Sequence, residues 1–409
     1  MPCSTIRGLD TGSKEMVDMV KDSPERYGGF KGRKVGLIVI FTTLWIVIIL
    51  VHVMTQNLFL TPVEQQYSEQ SSLDWTFVEK SNSSKVLPFS PGLPLIPNRA
   101  HFLQAYKNPC WKATDGMRCL PYFFLGGFAK SGTTDLYDKL VRHPQIMKAT
   151  TKEPHWLTRK RFEGRGSSKF YIEYFAPVAK LIESHSDYIT LDASASTVWD
   201  NHAVFGSFGD VNSSDPTYLI PHYIHREIPQ AKCVLIVRDP VKRLYSDYLY
   251  FGGQGTSPQG FHKVVVTSVK MFTDCMSNKQ LSALHCIYAN KGGYHNFMHR
   301  LRIGLYYFHI KSWLSAFPLD QLYVVRLEDY SKHPVTILKQ IYAFLGVKEI
   351  SDKKIATFLK GSTKNSNHKA YGEKGSMLKE TEELLKAFYK PYNLKLASFH
   401  NDTKFLYNE

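Results

Sequence analysis

One stretch constrains what this chain can fold into more than any other: Tyr122-Phe123-Phe124-Leu125-Gly126-Gly127-Phe128-Ala129-Lys130-Ser131-Gly132-Thr133-Thr134-Asp135-Leu136-Tyr137. Its first half is an apolar, aromatic run, which reads as a buried strand. The run breaks into a glycine turn carrying one lysine, Lys130, and three hydroxyls, Ser131, Thr133 and Thr134. A helical pattern begins at Asp135. Strand, tight basic turn and helix N-terminus together make a phosphate cradle. The first-turn amides point at the anion, the helix dipole favours it and a lysine neutralises it.

A Walker loop requires Gly, four residues, then Gly-Lys-Ser/Thr. Gly127 and Gly132 have that spacing, but Thr133 stands where the lysine belongs, and the lysine is Lys130 inside the loop. The turn therefore reads as built for a phosphate other than a magnesium-bound triphosphate. An ordinary glycine turn is the bland alternative.

Around this unit, strands and helices alternate. Strands are expected at Tyr122–Gly126, Tyr188–Leu191, Lys232–Val237 and Leu322–Arg326. Helices are expected at Asp135–Arg142, Pro221–Glu227, from Pro240 onward, and at Tyr294–Ala316, Val335–Leu345 and Met377–Tyr389. The pattern implies an α/β, P-loop-like three-layer fold: a mostly parallel central sheet flanked by helices, preceded by one transmembrane helix. In such sheets ligands bind at the carboxyl ends of the strands, so the loops after Gly126, Leu191 and Val237 are expected to face one crevice.

The transmembrane expectation rests on Val35 to Met54, 20 residues with no ionisable group except His52, about the length that spans a hydrocarbon core. Lys31, Arg33 and Lys34 precede it, and no Lys or Arg follows until Lys80. The positive-inside rule then gives a type II arrangement: a cytosolic tail over 1–34, a signal anchor over 35–54, a Ser- and Pro-containing stem over 55–100 and a luminal domain over 101–409. A cleaved signal peptide is the competing reading, disfavoured by the length and depth of the run. A secretory lumen agrees with acceptor triplets for N-glycans at Asn82, Asn212 and Asn401. It also agrees with the local pairs Cys110/Cys119 and Cys275/Cys286, which suggest disulfides. Cys233 lies in an apolar strand and reads as a free core thiol. No cysteine spacing resembles a zinc site, and no carboxylate cluster suggests another metal. The balance of 51 Lys+Arg against 36 Asp+Glu, net +15, points to an anionic partner. Charge alone does not choose among nucleic acid, phospholipid and acidic polymer.

Two further motifs could carry chemistry. Val237-Arg238-Asp239-Pro240-Val241-Lys242-Arg243-Leu244-Tyr245-Ser246 follows the clearest strand. Asp239 suits an N-cap and Pro240 the first helical position. Arg238 can fork onto a phosphate and Ser246 can add a hydroxyl; a plain Arg–carboxylate pair is the alternative. Lys152-Glu153-Pro154-His155-Trp156 places a carboxylate, an imidazole and a lysine on one short segment. Glu153 could accept a proton from a hydroxyl, and His155 could orient it or act itself; a surface loop with incidental charges is the alternative.

Taken together, Gly-Phe-Ala-Lys-Ser-Gly-Thr-Thr, Lys-Glu-Pro-His-Trp and Val-Arg-Asp-Pro-Val-Lys-Arg-Leu-Tyr-Ser-Asp-Tyr resemble the signatures of Golgi carbohydrate sulfotransferases that use 3′-phosphoadenosine 5′-phosphosulfate (PAPS). The resemblance covers residue 110 to the C-terminus. It implies that Lys130, Ser131, Gly132, Thr133 and Thr134 hold the 5′-phosphosulfate side of the donor, with Lys130 at the bond that breaks. It implies that Arg238 and Ser246 hold the 3′-phosphate. Glu153 would be the base, flanked by His155 and Lys152. Asp192, in Asp192-Ala193-Ser194, matches a loop near the acceptor. In the segment Tyr371 to Ser376, Lys374 is the candidate donor contact, although the glycine-rich Arg-Lys-Gly pattern of cytosolic relatives is missing there. The implied acceptor is the 6-hydroxyl of N-acetylgalactosamine 4-sulfate in chondroitin or dermatan sulfate. The basic surface would then serve an acidic polysaccharide rather than nucleic acid, without a metal.

Three alternatives stay open at the level of sequence. A heparan-type O-sulfotransferase would share the motifs. A nucleotide-dependent kinase could use the same loop, against which the missing Gly-Lys-Thr counts. A non-catalytic glycan-binding ectodomain would retain the fold without turnover.

Overall fold

The computed structural model describes residues 101–163, 166–204, 218–252, 256–289, 297–360 and 374–408. The expected tail, anchor and stem, with Asn82 and Asn212, lie outside the described residues. Among the described residues no helix is long and apolar enough to cross a membrane.

Five parallel strands form the central sheet in the order β4-β5-β3-β6-β7. They are β3 (Phe123–Gly127), β4 (Ile146–Met147), β5 (Ile189–Asp192), β6 (Lys232–Val237) and β7 (Leu322–Arg326). The expected strands match these within one residue at each end; the two-residue edge strand β4 has no counterpart in the sequence expectation. The sheet is covered on both faces, and the strands alternate between two cores. On β3, Phe124 joins one core while Phe123 and Leu125 join the other. On β6, Cys233, Leu235 and Val237 face the first core and Val234 and Ile236 the second. Burial on both faces is why these segments are continuous apolar runs rather than alternating ones.

The chain winds out from β3 to β5 and β4 on one side, then returns to β6 and β7 on the other. β3 is therefore the switch point, where adjacent loops diverge and leave a crevice at the carboxyl ends. The helix Thr133–Leu140 follows β3 directly, and Pro240–Phe251 follows β6. Asp239 caps the latter through Val241 N–H at 2.8 Å and Lys242 N–H at 3.2 Å, with Pro240 at the first helical position.

At the opposite, amino ends of the strands sits a hairpin of β1 (Cys110–Ala113) and β2 (Gly116–Cys119). A disulfide joins Cys110 to Cys119, and a second joins Cys275 to Cys286. Cys233 is free and buried. All three cysteine expectations hold. Asn108 fastens the hairpin to the sheet: its Nδ2 donates to Tyr188 O at 2.6 Å and its Oδ1 accepts from Thr190 N–H at 2.9 Å. Asn401, the third residue expected as a glycan acceptor, is exposed at the end of the last helix.

Two helices differ from expectation. The stretch expected as one helix over Tyr294–Ala316 is two, Phe297–Arg302 and Tyr306–Leu314; its first three residues lie outside the described residues. The break is at Gly304, where a Cβ would come within 2.7 Å of the Tyr389 hydroxyl oxygen. Tyr389 also donates to Leu301 O at 2.8 Å, the same carbonyl that the Gly304 N–H reaches at 3.1 Å. The last helix runs Lys379–His400, past the expected end at Tyr389 and through Pro391. A proline inside a helix costs about 3 kcal/mol. Burial of Leu385, Phe388, Tyr389, Tyr392 and Leu396 on one face offsets that cost. The 20-residue helix Pro258–Ser277, capped by Ser257 through Gly260 N–H at 3.0 Å, was absent from the expected elements.

The close approach of β3 to its neighbours gives a testable consequence. A Cβ on Gly126 would lie 2.2 Å from Val198 Cγ2, and a β-branched side chain yields little. Gly126→Ala is expected to cost about 1–3 kcal/mol, read as a lower urea midpoint. Val198→Ala in that background should recover part of the loss.

Candidate active site

The turn after β3 is shaped by contact and by backbone conformation. A Cβ at Gly127 would meet Thr133 Cγ2 at 2.6 Å and Ile236 Cγ2 at 2.7 Å. Gly132 caps the helix Thr133–Leu140 with φ +88° and, being glycine, offers no side chain to the first-turn amides. Those amides are left to a ligand. Ser131 is fully buried, and its Oγ has no hydrogen-bond partner. An orphaned hydroxyl, uncapped amides and Lys130 in one turn fit an anionic group. Thr133 and Thr134 open the helix, and Asp135 behind them accepts from the Tyr330 hydroxyl at 2.9 Å.

Arg238 directly follows β6 and donates to Lys130 O at 3.0 Å, so the first two motifs meet. The Tyr306 hydroxyl holds Arg238 O at 2.6 Å. Ser246 is buried two turns along the following helix. Lys130 Nζ lies 3.6 Å from the ring centroid of Tyr250, one turn beyond Ser246. Tyr250 is half-exposed and was not among the expected site residues; its i+4 spacing from Ser246 is the only signal the sequence offered.

The third motif reaches the same turn from the other side. Lys152 Nζ donates to Glu153 and to Thr134 Oγ1, the latter at 3.2 Å. His155 Nε2 lies 3.3 Å from Glu153 Oε2. Its Nδ1 lies 2.7 Å from Ser196 Oγ, which in turn contacts Thr158 Oγ1 at 2.9 Å. Ser194 Oγ accepts from His155 N–H at 3.0 Å. Burial pushes the Glu153 carboxyl up, but the hydrogen bond and charge from His155 and Lys152 outweigh it and bring its pKa to about 2.

Asp192, at the end of β5, is buried with both oxygens engaged. Oδ1 accepts from Ser194 N–H at 2.8 Å and Oδ2 from the Tyr171 hydroxyl at 2.8 Å. Its visible work is to shape the Ser194–Ser196 turn that carries His155. Lys374 donates to Thr256 Oγ1, and Gly375 O accepts from the Tyr245 hydroxyl at 2.8 Å. The C-terminal segment thus docks on the helix Pro240–Phe251 through Tyr245 and just beyond it through Thr256, while residues 361–373 lie outside the described residues. Among the described residues no group of His, Cys, Asp and Glu could hold a metal ion.

Lys130, Glu153 and His155 share a backbone property. Each is a non-glycine residue in the left-handed region, at φ +68°, +57° and +51°. Such conformations cost of order 1–3 kcal/mol each and collect at functional sites.

A model of the sulfotransferase domain family matches residues 120–387. Carbohydrate sulfotransferase 15 from Mus musculus and from Homo sapiens are each 35% identical over 311 residues, covering 71% of this chain and 55% of the relative. The chain thus spans about half the length of these relatives. The Mus musculus heparan sulfate glucosamine 3-O-sulfotransferase 3A1 is 24% identical over 294 residues, covering 69% of this chain and 63% of that protein.

The charge pattern around Glu153 predicts a pH signature. A depressed carboxyl pKa supplies stability that is complete above its ordinary value of 4.5 and fades as pH falls toward about 2. Glu153→Gln should flatten the dependence of the urea midpoint on pH within that window. Equal slopes for the two proteins would contradict the assigned charge state.

Proposed function

The chain belongs to the sulfotransferase domain family, and on that premise we propose that it transfers a sulfuryl group from PAPS to a sugar hydroxyl of a glycosaminoglycan. The observation that carries this reading is Lys152. Its one ammonium group touches both Glu153 and Thr134, bringing a base and a phosphate cradle within one side chain of each other.

In this reading, Ser131, Gly132, Thr133 and Thr134 hold the 5′-phosphosulfate, and Arg238 and Ser246 hold the 3′-phosphate. Lys374 is the donor contact supplied by the segment Tyr371 to Ser376. The acceptor hydroxyl attacks sulfur in line, and Glu153 takes its proton. The bond from sulfur to the 5′-phosphate oxygen breaks, leaving adenosine 3′,5′-bisphosphate, while Lys130 and the loop amides stabilise the charge developing on the departing oxygen. A carboxylate with a pKa of about 2 is a weak base while Lys152 and His155 both hold it. Proton transfer therefore requires Lys152 to move from Glu153 to the arriving anion. His155, anchored by Ser194 and Ser196, keeps the carboxylate aimed. Asp192 acts through that anchor.

The acceptor proposal is the 6-hydroxyl of N-acetylgalactosamine 4-sulfate in chondroitin or dermatan sulfate. The greater similarity to carbohydrate sulfotransferase 15 than to the heparan 3-O enzyme supports it. We place residues 35–54 as a Golgi signal anchor with residues 101–409 in the lumen; the apolar run and its flanking charges support this.

The deciding experiment is labelled transfer from PAPS to chondroitin, dermatan and heparan acceptors, followed by disaccharide analysis. Product carrying 4- and 6-sulfate on one galactosamine is expected, and product on heparan alone overturns the acceptor. Binding of ATP with magnesium in preference to adenosine 3′,5′-bisphosphate would favour a kinase, and binding of glycan without any transfer a lectin-like role. Lys130→Ala should lower kcat by about 10²–10³-fold, with a much smaller change in bisphosphate affinity. Unchanged turnover in Glu153→Gln would remove Glu153 as the base.

A further inference from the structure

Behind the phosphate turn, the helix Pro240–Phe251 buries a carboxylate that none of the roles above uses. Asp247 is 1% exposed, and neither oxygen has a hydrogen-bond partner. Cations on three elements face it. Arg243, one turn earlier on the same helix, brings Nη1 to 3.9 Å from Oδ1. Arg300, on the helix Phe297–Arg302, brings Nη1 to 3.6 Å from the same atom. Lys130, on the turn after β3, lies in its electrostatic reach. From the last helix, the phenol of Tyr389 is a further titratable neighbour among the described residues.

We propose that Asp247 is a positioning residue, the buried counter-ion around which the cations of the phosphate turn are arranged. Arg243 is completely buried and ties two segments together, donating to Ala129 O at 3.4 Å and to Arg300 O at 2.7 Å. A guanidinium so placed beside a second one and an ammonium needs negative charge, and Asp247 supplies it. The geometry also addresses a difficulty of the reaction. Lys130 has to be charged where the leaving oxygen forms, yet it is partly withdrawn from water. Burial drives its pKa down, Asp247 pulls it back up and Arg238 pushes it down again. The pKa of Asp247 itself is raised, burial lifting it by more than Arg243, Arg300 and Lys130 together lower it. The Tyr250 ring covers the Lys130 ammonium without adding charge.

The link to turnover rests on the sulfotransfer reading; the arrangement of charges does not. The test therefore has two arms, using the protein as it stands. In the first, the pH dependence of Lys130 acetylation by trace anhydride is followed by mass spectrometry, with no donor or acceptor present. Asp247→Asn should move the Lys130 titration to lower pH, because an attracting charge is lost. Arg300→Gln, at a position 20% exposed, removes a cation that shares Asp247 with Lys130 and should move it to higher pH. This second variant keeps the test decisive if Asp247→Asn folds poorly. An unmoved Lys130 titration in the folded variants overturns the proposal.

In the second arm, the basic limb of the kcat profile for sulfate transfer should follow the same shifts. Asp247→Asn is expected to lose about tenfold more activity on the alkaline limb than near neutrality. A uniform loss across pH would mark a structural role and overturn the positioning one. Absence of transfer by the wild-type protein, with the acetylation shifts intact, would fault the sulfotransfer reading and leave the charge arrangement standing.

Discussion

The site depends on one ammonium group shared between two loops. Lys152 bridges Glu153 and Thr134, so the segment after the first helix and the turn before it are held as one surface. That contact is possible because β3 lies between β5 and β6. The turn after β3 is thereby flanked on one side by Asp192 and Ser194 and on the other by Arg238. Sheet order brings together groups more than a hundred residues apart, and His155 and Lys152 then hold the carboxylate among them in its charged form. In the proposed reading, a carboxylate held this acidic before reaction gains basicity when its lysine is drawn off.

Much of this was legible in the sequence, for identifiable reasons. β3, β6 and β7 are runs of apolar residues because both sheet faces are covered, and such runs survive without context. Lys130, Arg238 and Glu153 stand in short motifs whose spacing has a chemical reason. The helix Pro258–Ser277 was hidden because its Val264-Val265-Val266 run reads as a strand. Only the burial of Phe261, Val265, Val269 and Phe272 at helical intervals reveals the face it packs with. The break at Gly304 follows from Tyr389, distant in sequence. Asp247 and Arg243 look like ordinary solvent-facing helix residues until packing closes over them. Charged side chains inside a core are invisible to any pattern that equates charge with water.

The three strained residues draw on the stability of the rest. Left-handed φ at Lys130, Glu153 and His155 persists only because each is over-determined by its neighbours. Arg238 holds the carbonyl of Lys130. Ser194 and Ser196 hold His155 at backbone and ring. Lys152 and His155 hold Glu153 between them. The buried sheet supplies the surplus, and the loops at its carboxyl edge use it to fix reactive groups in directions that relaxed backbone would not give.

The hairpin pinned by Asn108 has a consequence for how a long polymer meets this surface. Residues 108–119 are fastened to the amino ends of the strands, and the phosphate turn lies at the other end. In the reading proposed above, a polymer acceptor meets the carboxyl ends of the strands, and this hairpin braces the sheet from the opposite end without taking up any of that surface.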